Sequence, residues 1–478
     1  METSWTNGTR MASFRNLIFS RNNFMNLRES ARALSTEQYE KNFAELVPPM
    51  TPSQAAIESA RCLYCFDAPC IRACPTHIDV PTFIKKINTG NLRGSARVIL
   101  EANILGASCG RVCPTEVLCE GACVMHEKGQ KPIEIGRLQR HAVDYVLDRK
   151  IQLFHAGTPN GKRVACIGAG PASLACAAEL AQAGYEVTIF DRNTVPGGLN
   201  TYGIAAYKLR ADDSLREVEP IRKLGVEFQQ NAEIGHDLPF TRLENDYDAI
   251  FIGVGLGETW DLALPGENLV GVCGAMEFIE ATKLRSFAEV QVGRRIACIG
   301  AGNTAIDVVT AAKRLGSESV HLIYRRGEKE MPAFRYEYDL AKLDGILFHW
   351  YTQPVQIIGE EGKVTGIECL RTRLEQGNGR ERGKVVPIPG SEFKIDVDMV
   401  VRAIGQKPVT DLFRTVAGIE VRDKGTIAIN DKYHTGAQKY FAGGDCTNGG
   451  KEVVDAVAEG KAAAQSIDAW LGAPRARN

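Results

Sequence analysis

One octapeptide occurs twice in this chain of 478 residues: Arg163–Gly170 reads R-V-A-C-I-G-A-G and Arg295–Gly302 reads R-I-A-C-I-G-A-G. In each copy an apolar strand runs into a glycine turn and then a helix-forming segment, the opening of a dinucleotide-binding βαβ unit. Gly168, Gly170 and Ser173 fill the positions of G-x-G-x-x-G/A in the first copy, and Gly300, Gly302 and Ala305 fill them in the second. The first glycine permits the tight turn and the second lets the backbone approach a pyrophosphate. The helix N-terminus that follows offers unpaired N–H groups to that anion. Two such units make the fold class α/β, and two nucleotide sites imply two cofactors.

The copies diverge at the end of the next strand. Asp191 closes Glu186–Phe190 and can accept from a ribose hydroxyl, whereas Ser319–Tyr324 ends in Arg325-Arg326, which suits a 2′-phosphate. The second site is read as preferring NADP; a solvated surface pair is the plainer alternative for these arginines. Residues 440–451, Y-F-A-G-G-D-C-T-N-G-G-K, give a short strand, a glycine turn and Asp445 before a helix over 452–471. After two dinucleotide units this reads as the return of the first, with the second inserted into it.

Of the 14 cysteines, eight fall early: Cys62, Cys65, Cys70 and Cys74 in R-C-L-Y-C-F-D-A-P-C-I-R-A-C-P, then Cys109, Cys113, Cys119 and Cys123. Thiolates this close in sequence can converge on one centre. The bacterial ferredoxin run has three cysteines for one cluster and a fourth, followed by proline, for another, and Cys74-Pro75 repeats that ending. Two iron-sulfur clusters are expected over structural zinc, since only Cys62 and Cys65 have C-x-x-C spacing, and over disulfides, since no signal peptide points to an oxidising compartment. The scattered Cys166, Cys176, Cys273, Cys298, Cys369 and Cys446 read as small buried side chains. Around the clustered cysteines the pattern is helical and interrupted: Thr51-Pro52-Ser53 opens a segment, helices are expected over 81–87 and 92–105, and 133–148 closes the module with Gln139 inside it. A linker with Gly157, Pro159, Asn160 and Gly161 follows.

The length suggests about three domains. A net charge of -1 argues against a general nucleic-acid or membrane-surface binder. No apolar run is long enough to span a bilayer, and a cytoplasmic location is expected. Residues 1–30 are Asn- and Arg-rich with only Glu2 and Glu29 acidic, which suits a transit peptide, a disordered extension, or a start at Met11.

From residue 35 onward the motifs C-L-Y-C-F-D-A-P-C-I-R-A-C-P-T-H-I-D-V-P-T-F-I, C-G-R-V-C-P-T-E-V-L-C-E-G-A-C, I-G-R-L-Q-R and F-A-G-G-D, with the two fingerprints, resemble the glutamate synthase small-subunit-like flavoproteins. Within that group they are most similar to the NAD(P)H-accepting half of dihydropyrimidine dehydrogenase. The resemblance implies an N-terminal all-α iron-sulfur domain followed by two Rossmann-like domains, for FAD and NADP, the second inserted in the first. The implied limits are 1–34 as a disordered extension, 35–155 for two [4Fe-4S] clusters, 156–288 with 406–478 for FAD, and 289–405 for NAD(P).

It implies that Cys62, Cys65, Cys70 and Cys123 hold one cluster, and that Cys74, Cys113 and Cys119 hold the other with Gln139 as fourth ligand, where counting cysteines alone nominates Cys109. It implies FAD contacts at Gly168, Gly170, Pro171, Ala172, Asp191, Gly197, Gly198, Leu199, Lys208, Gly444 and Asp445. NAD(P) contacts are implied at Gly300, Ala301, Gly302, Asn303, Thr304, Arg325, Arg326, Ala403 and Gly405. Lys208 replaces an arginine of the animal enzymes, and Gln139 stands where the glutamate synthase branch has a glutamate. The expected activity is an NAD(P)H-dependent oxidoreductase in which no side chain acts as acid or base. It would take hydride from NADPH or NADH and route electrons through FAD and the clusters to a catalytic partner subunit, carrying FMN and further clusters, that reduces uracil or thymine to the 5,6-dihydro base. The alternatives are the small subunit of glutamate synthase and, in another class, a redox-sensing or scaffold protein.

Overall fold

A computed structural model describes residues 27–375 and 383–472. The chain divides into two compact units, Glu45–Gly257 with the segment from Lys407 onward, and the segment up to Ala44 with Glu258–Gln406.

The first unit is built on a parallel five-stranded sheet in the order Tyr440–Ala442, Ala249–Ile252, Arg163–Ile167, Glu186–Asp191, Glu227–Gln230. Parallel sheets are covered on both faces, so their strands read as continuous apolar runs, as V-A-C-I and A-I-F-I do here. Strand order reverses beside Arg163–Ile167, and the crevice at such a reversal is where open α/β sheets take ligands. The helix Pro171–Gln182 starts on a proline, whose fixed φ and missing N–H suit a first helical turn. Its alanine-rich surface admits the helix Val453–Leu471 so closely that a Cβ on Gly460 would strike the carbonyl of Ala172.

Six helices of the same unit frame the clustered cysteines, of which only Cys70 and Cys109 lie on them: Pro52–Ala60, Pro69–Arg72, Val80–Asn88, Leu92–Ala102, Gly106–Val112 and Ile135–Asp148. Thr51 and Gln54 cap the first reciprocally, and Asp79 and Asn91 cap the third and fourth through the N–H groups of Thr82 (3.1 Å) and Gly94 (2.8 Å). Phe83, Ile84, Ile99, Leu138 and Val143 form its core, each burial contributing about 1.5–3 kcal/mol. The helix expected over 92–105 stops at Ala102, because Asn103 turns extended and accepts the N–H of Leu105 with its own side chain. The closing helix begins at Ile135, two residues later than expected.

The second unit repeats the sheet plan, in the parallel order Val272–Gly274, Met399–Arg402, Arg295–Ile299, Ser319–Ile323, Leu347–His349. An antiparallel sheet of Thr352–Glu360, Lys363–Glu375, Lys384–Pro387 and Phe393–Ile395 is added to it. Residues 258–288, assigned to the FAD domain by the sequence, belong to this unit. So does Thr36–Asn42, assigned to the cysteine module: Asn42 Nδ2 donates to the Arg314 carbonyl at 2.8 Å, and Phe43 stacks on Phe287 at 3.9 Å between centroids. Of the expected extension, residues 1–26 lie outside the described residues, while Leu27 is buried and Ser30 pairs with Gly293. Among the described residues no helix is long and apolar enough to cross a membrane.

Candidate functional site

Cys62, Cys65, Cys70 and Cys123 line one cavity, partly open to solvent, together with Leu63, Pro69, Val80 and Ile84. The chain winds around it at a cost. Tyr64 (φ 51°), Ala68 (φ 25°) and His77 (φ 53°) hold left-handed backbone that side chains disfavour, about 1–3 kcal/mol each, and strain of this kind gathers at functional sites. Burial, then the neighbouring Cys62 and Cys123, pushes the Cys70 thiol up to about 12, and burial raises Cys62 in the same way. Thiols so placed ionise only if a cationic centre receives them. None of the 14 cysteines forms a disulfide. Four thiols lining one space are a donor set that suits an iron-sulfur group.

The other four of the eight clustered cysteines, Cys74, Cys109, Cys113 and Cys119, form a second group. Cys113 is hydrogen-bonded to Cys109 and lies within electrostatic reach of Cys119 and Cys74, and that sulfur contact and burial hold its thiol well above the ordinary range. Cys119 is raised by burial, then by Glu120 and Cys74. Cys109 is buried and receives the Asn103 Nδ2–H at 3.1 Å. Gln139, also buried, donates to the Gly106 carbonyl at 2.8 Å, so it grips the helix that carries Cys109 and Cys113. That approach depends on Gly110, where a Cβ would sit 3.0 Å from the Arg140 nitrogen.

At the first glycine turn, Gly168 has φ +94° and a Cβ there would lie 2.6 Å from the Gly253 carbonyl oxygen. Gly170 is different: nothing lies closer than 3.9 Å to a Cβ at that position, which leaves room for a ligand. Pro171 and Ala172 open the helix, and the Gly197 N–H bonds back to the Ala169 carbonyl at 2.8 Å. Gly198 presses on Gly170, and Leu199 begins the short helix after it. Asp191 accepts the N–H of Ala169 at 2.6 Å and of Asn193 at 2.7 Å, while burial lifts its carboxyl above the usual range. It therefore braces the glycine turn, a role the sequence did not suggest, with lone pairs left for a ribose hydroxyl. Gly444 lies against Ala172, so the late Gly444-Asp445 turn meets the fingerprint helix, and Asp445 accepts the Lys451 N–H at 3.1 Å. Lys208 lies 5.9 Å from the Tyr207 ring centre and within electrostatic reach of Glu452.

At the second turn Gly300 has φ +131°, and a Cβ there would strike the carbonyl oxygen of Ala403. Around Gly302 nothing lies within 4 Å of a Cβ. Ala301 accepts the Ala333 N–H at 3.2 Å, and Asn303, which begins the helix that includes Thr304, accepts the Phe334 N–H at 2.9 Å. Arg325 is exposed and Arg326 half-buried, its Nε without a hydrogen-bond partner. Gly405 has φ +100° and accepts the Trp260 N–H at 3.0 Å. Both turns thus keep an open face beside a helix N-terminus, which fits a dinucleotide in each.

A family model described as "pyridine nucleotide-disulphide oxidoreductase" matches residues 162–460, well over half of the chain. The chain belongs to that family. It is an NAD(P)H-dependent oxidoreductase, and its cysteine module, residues 39–151, matches a second model described as dihydropyrimidine dehydrogenase domain II, 4Fe-4S cluster. Among curated relatives this oxidoreductase is 35% identical to the glutamate synthase [NADPH] small chain of Escherichia coli (90% of this chain, 94% of the relative). It is 34% identical to the NAD-dependent dihydropyrimidine dehydrogenase subunit PreT of Salmonella typhimurium (89% and 97%). It is 36% identical to the putative oxidoreductase AegA of Escherichia coli (92% and 69%). Its fold matches the structure of FprA, a Mycobacterium tuberculosis oxidoreductase, with a TM-score of 0.55 at 21% identity over 65% of this chain and 85% of that one.

Proposed function

We propose that this oxidoreductase is an electron-input subunit that takes hydride from NADPH and delivers single electrons to a partner reducing uracil or thymine to the 5,6-dihydro base. The observation that carries the electron-routing part is the grouping of the cysteines, four around one cavity and four in a second cluster of thiols, in a chain that also holds two glycine turns with open faces. Bound at these places, FAD supplies hydride acceptance and one-electron release, and two [4Fe-4S] clusters supply one-electron carriage. The chain's own residues bind and orient. Gly302 and the helix N-terminus behind it take the pyrophosphate of NADPH, and Arg325 and Arg326 take its 2′-phosphate. Gly170, Gly198, Asp191 and Asp445 hold FAD. Cys62, Cys65, Cys70 and Cys123 ligate one cluster, and Cys74, Cys113, Cys119 and Gln139 the other, where a neutral amide in place of a thiolate raises the potential. The pyrimidine branch is favoured by Gln139 and by the match of the cysteine module to dihydropyrimidine dehydrogenase domain II.

A second reading, the small subunit of an NADPH-dependent glutamate synthase, is favoured by relatives of equal identity. Anaerobic purification should yield about eight irons and one flavin per chain, bleached faster by NADPH than by NADH. Reconstitution then separates the readings: uracil-dependent oxidation of the nicotinamide with a pyrimidine-reducing partner supports the first. Oxidation dependent on glutamine and 2-oxoglutarate with a glutamate synthase large subunit supports the second and sinks the first.

A further inference from the structure

Glu217 is a buried carboxylate for which the electron route above has no use. It sits on the helix Ala211–Arg222 beside the flavin sheet, 2% exposed, and reaches into the cysteine module. Its Oε1 accepts the N–H of Ala107 at 2.6 Å, and its Oε2 accepts the N–H of Ser108 at 2.9 Å and also the Ser108 hydroxyl. These donors open the helix Gly106–Val112, whose own N-cap, Leu105, supplies no side-chain acceptor. The helix then presents Cys109 and ends at Cys113, whose N–H bonds to the Cys109 carbonyl. Gln139 holds the Gly106 carbonyl of the same turn. One turn of backbone is therefore gripped from two sides, by a cluster-ligand candidate and by a carboxylate from the flavin-binding half of the unit.

The charges around Glu217 do not cancel. Arg111 is the nearest cation, but it also meets Asp144 at 2.9 Å, Asp213 at 3.4 Å and Glu45 at 3.8 Å. Arg140 and Arg216 answer the same acids from other sides, Arg140 with Glu45 and Asp144, Arg216 with Asp144 and Asp213. Asp148 also pairs with Arg216, so three arginines face five acids, Glu45, Asp144, Asp148, Asp213 and Glu217, and the group carries excess negative charge. Burial lifts its carboxyl to about 7, against the downward pull of the Ser108 hydroxyl, Arg111 and the two N–H groups.

We propose that Glu217 is a positioning residue for electron transfer, which fixes the turn leading to Cys109 and Cys113 and couples a proton to reduction of the iron-sulfur centre those thiols face. This rests on the reading of Cys74, Cys113, Cys119 and Gln139 as cluster ligands. An uncompensated buried anion disfavours an added electron, and protonation removes it. As the centre gains one electron, originating in NADPH, the Glu217 carboxylate takes one proton from solvent and becomes the neutral acid. No bond to iron changes.

The test is a spectroscopically monitored redox titration of the full chain, purified anaerobically, at a series of pH values spanning neutrality, with iron content measured on every sample. In the wild type, the potential of one of the two centres should fall as pH rises through neutrality, and the other should stay level. Glu217→Gln should hold the first centre at its high, acid-side potential throughout. Ser108→Ala, which removes one donor to the carboxylate and leaves the fold intact, should move the bend in the wild-type curve to higher pH. Should Glu217→Gln fail to load iron, Ser108→Ala decides alone. Iron-loaded protein in which Ser108→Ala and any loadable Glu217 variant both trace the wild-type curve would overturn the inference and leave the cluster reading standing. A wild type without iron would overturn both.

Discussion

The two dinucleotide units share more than an octapeptide. In each, the N–H of the first arginine is taken by an aspartate carboxylate: Asp248 for Arg163 at 2.9 Å, and Asp398 for Arg295 at 3.1 Å. Each then turns on a glycine pinned under a neighbouring carbonyl and leaves the second glycine facing open space. Beyond that backbone cradle the copies part. The first braces its turn with Asp191; the second has Arg325 and Arg326 at the equivalent strand end. Even the twin aspartates behave oppositely. Burial lifts Asp398 to about 6, whereas at Asp248 the upward pull of burial is outweighed by the Arg163 N–H and Lys162, and the carboxyl sits low. What is duplicated is a backbone turn with one pinned and one open glycine. The two copies differ in the side chains outside the repeat.

The sharpest way to break the comparison is at the pinned glycines. Gly168→Ala and Gly300→Ala each force a side chain into left-handed backbone and against a carbonyl, and should cost about 3 kcal/mol or more of stability in their own unit. Thermal unfolding should show it, with flavin lost from the first variant and NADPH oxidation lost from the second. Next come the open glycines: Gly170→Ala and Gly302→Ala should leave stability within about 0.5 kcal/mol of the wild type, while weakening flavin and NADPH binding respectively by roughly tenfold or more. A stability loss as large as that of the pinned glycines would erase the distinction.

Smaller effects test the divergent side chains. Arg325→Ala should lower kcat/KM for NADPH by roughly tenfold and hardly change that for NADH, since it removes a charge-assisted contact to a group NADH lacks. The smallest effects belong to the aspartates and differ in sign. Asp398 has a raised carboxyl, so its contribution to stability is complete below the ordinary carboxylate range and is lost as pH rises through about 6. Asp248 is lowered, so its contribution is present at neutral pH and lost as pH falls through its folded value. Denaturant unfolding against pH should show Asp398→Asn removing the first dependence and Asp248→Asn the second.

The octapeptides were legible because a strand, a glycine turn and a helix are written in consecutive residues, and the return of residues 440–442 to the first sheet was legible from its own glycine turn. Cysteine grouping was readable as far as two sets. What sequence spacing does not encode is pairing across the chain. Nothing near Thr36–Asn42 announces that its partners are Arg314 and Phe287. Asn103 ended a helix whose apolar periodicity continues past it, because a single side-chain hydrogen bond to Leu105 outcompeted propagation. Glu217 lay in an acidic-looking amphipathic helix, where a carboxylate that points inward has the same letter as those that point to solvent. Asp191 was singled out as a ribose acceptor, and its grip on Ala169 went unread.

The sheet of the first unit is completed on Ala249–Ile252 by Tyr440–Ala442, a strand that follows the whole of Glu258–Gln406 in the chain. During synthesis the intervening unit, Glu258–Gln406, emerges in full before that strand does, and domains tend to fold as units while the ribosome is still at work. The edge of the first sheet therefore closes only after the whole intervening unit has been made. A chain cut short before Tyr440 would keep every strand of the second unit's sheet and leave the edge strand Ala249–Ile252 of the first without its partner.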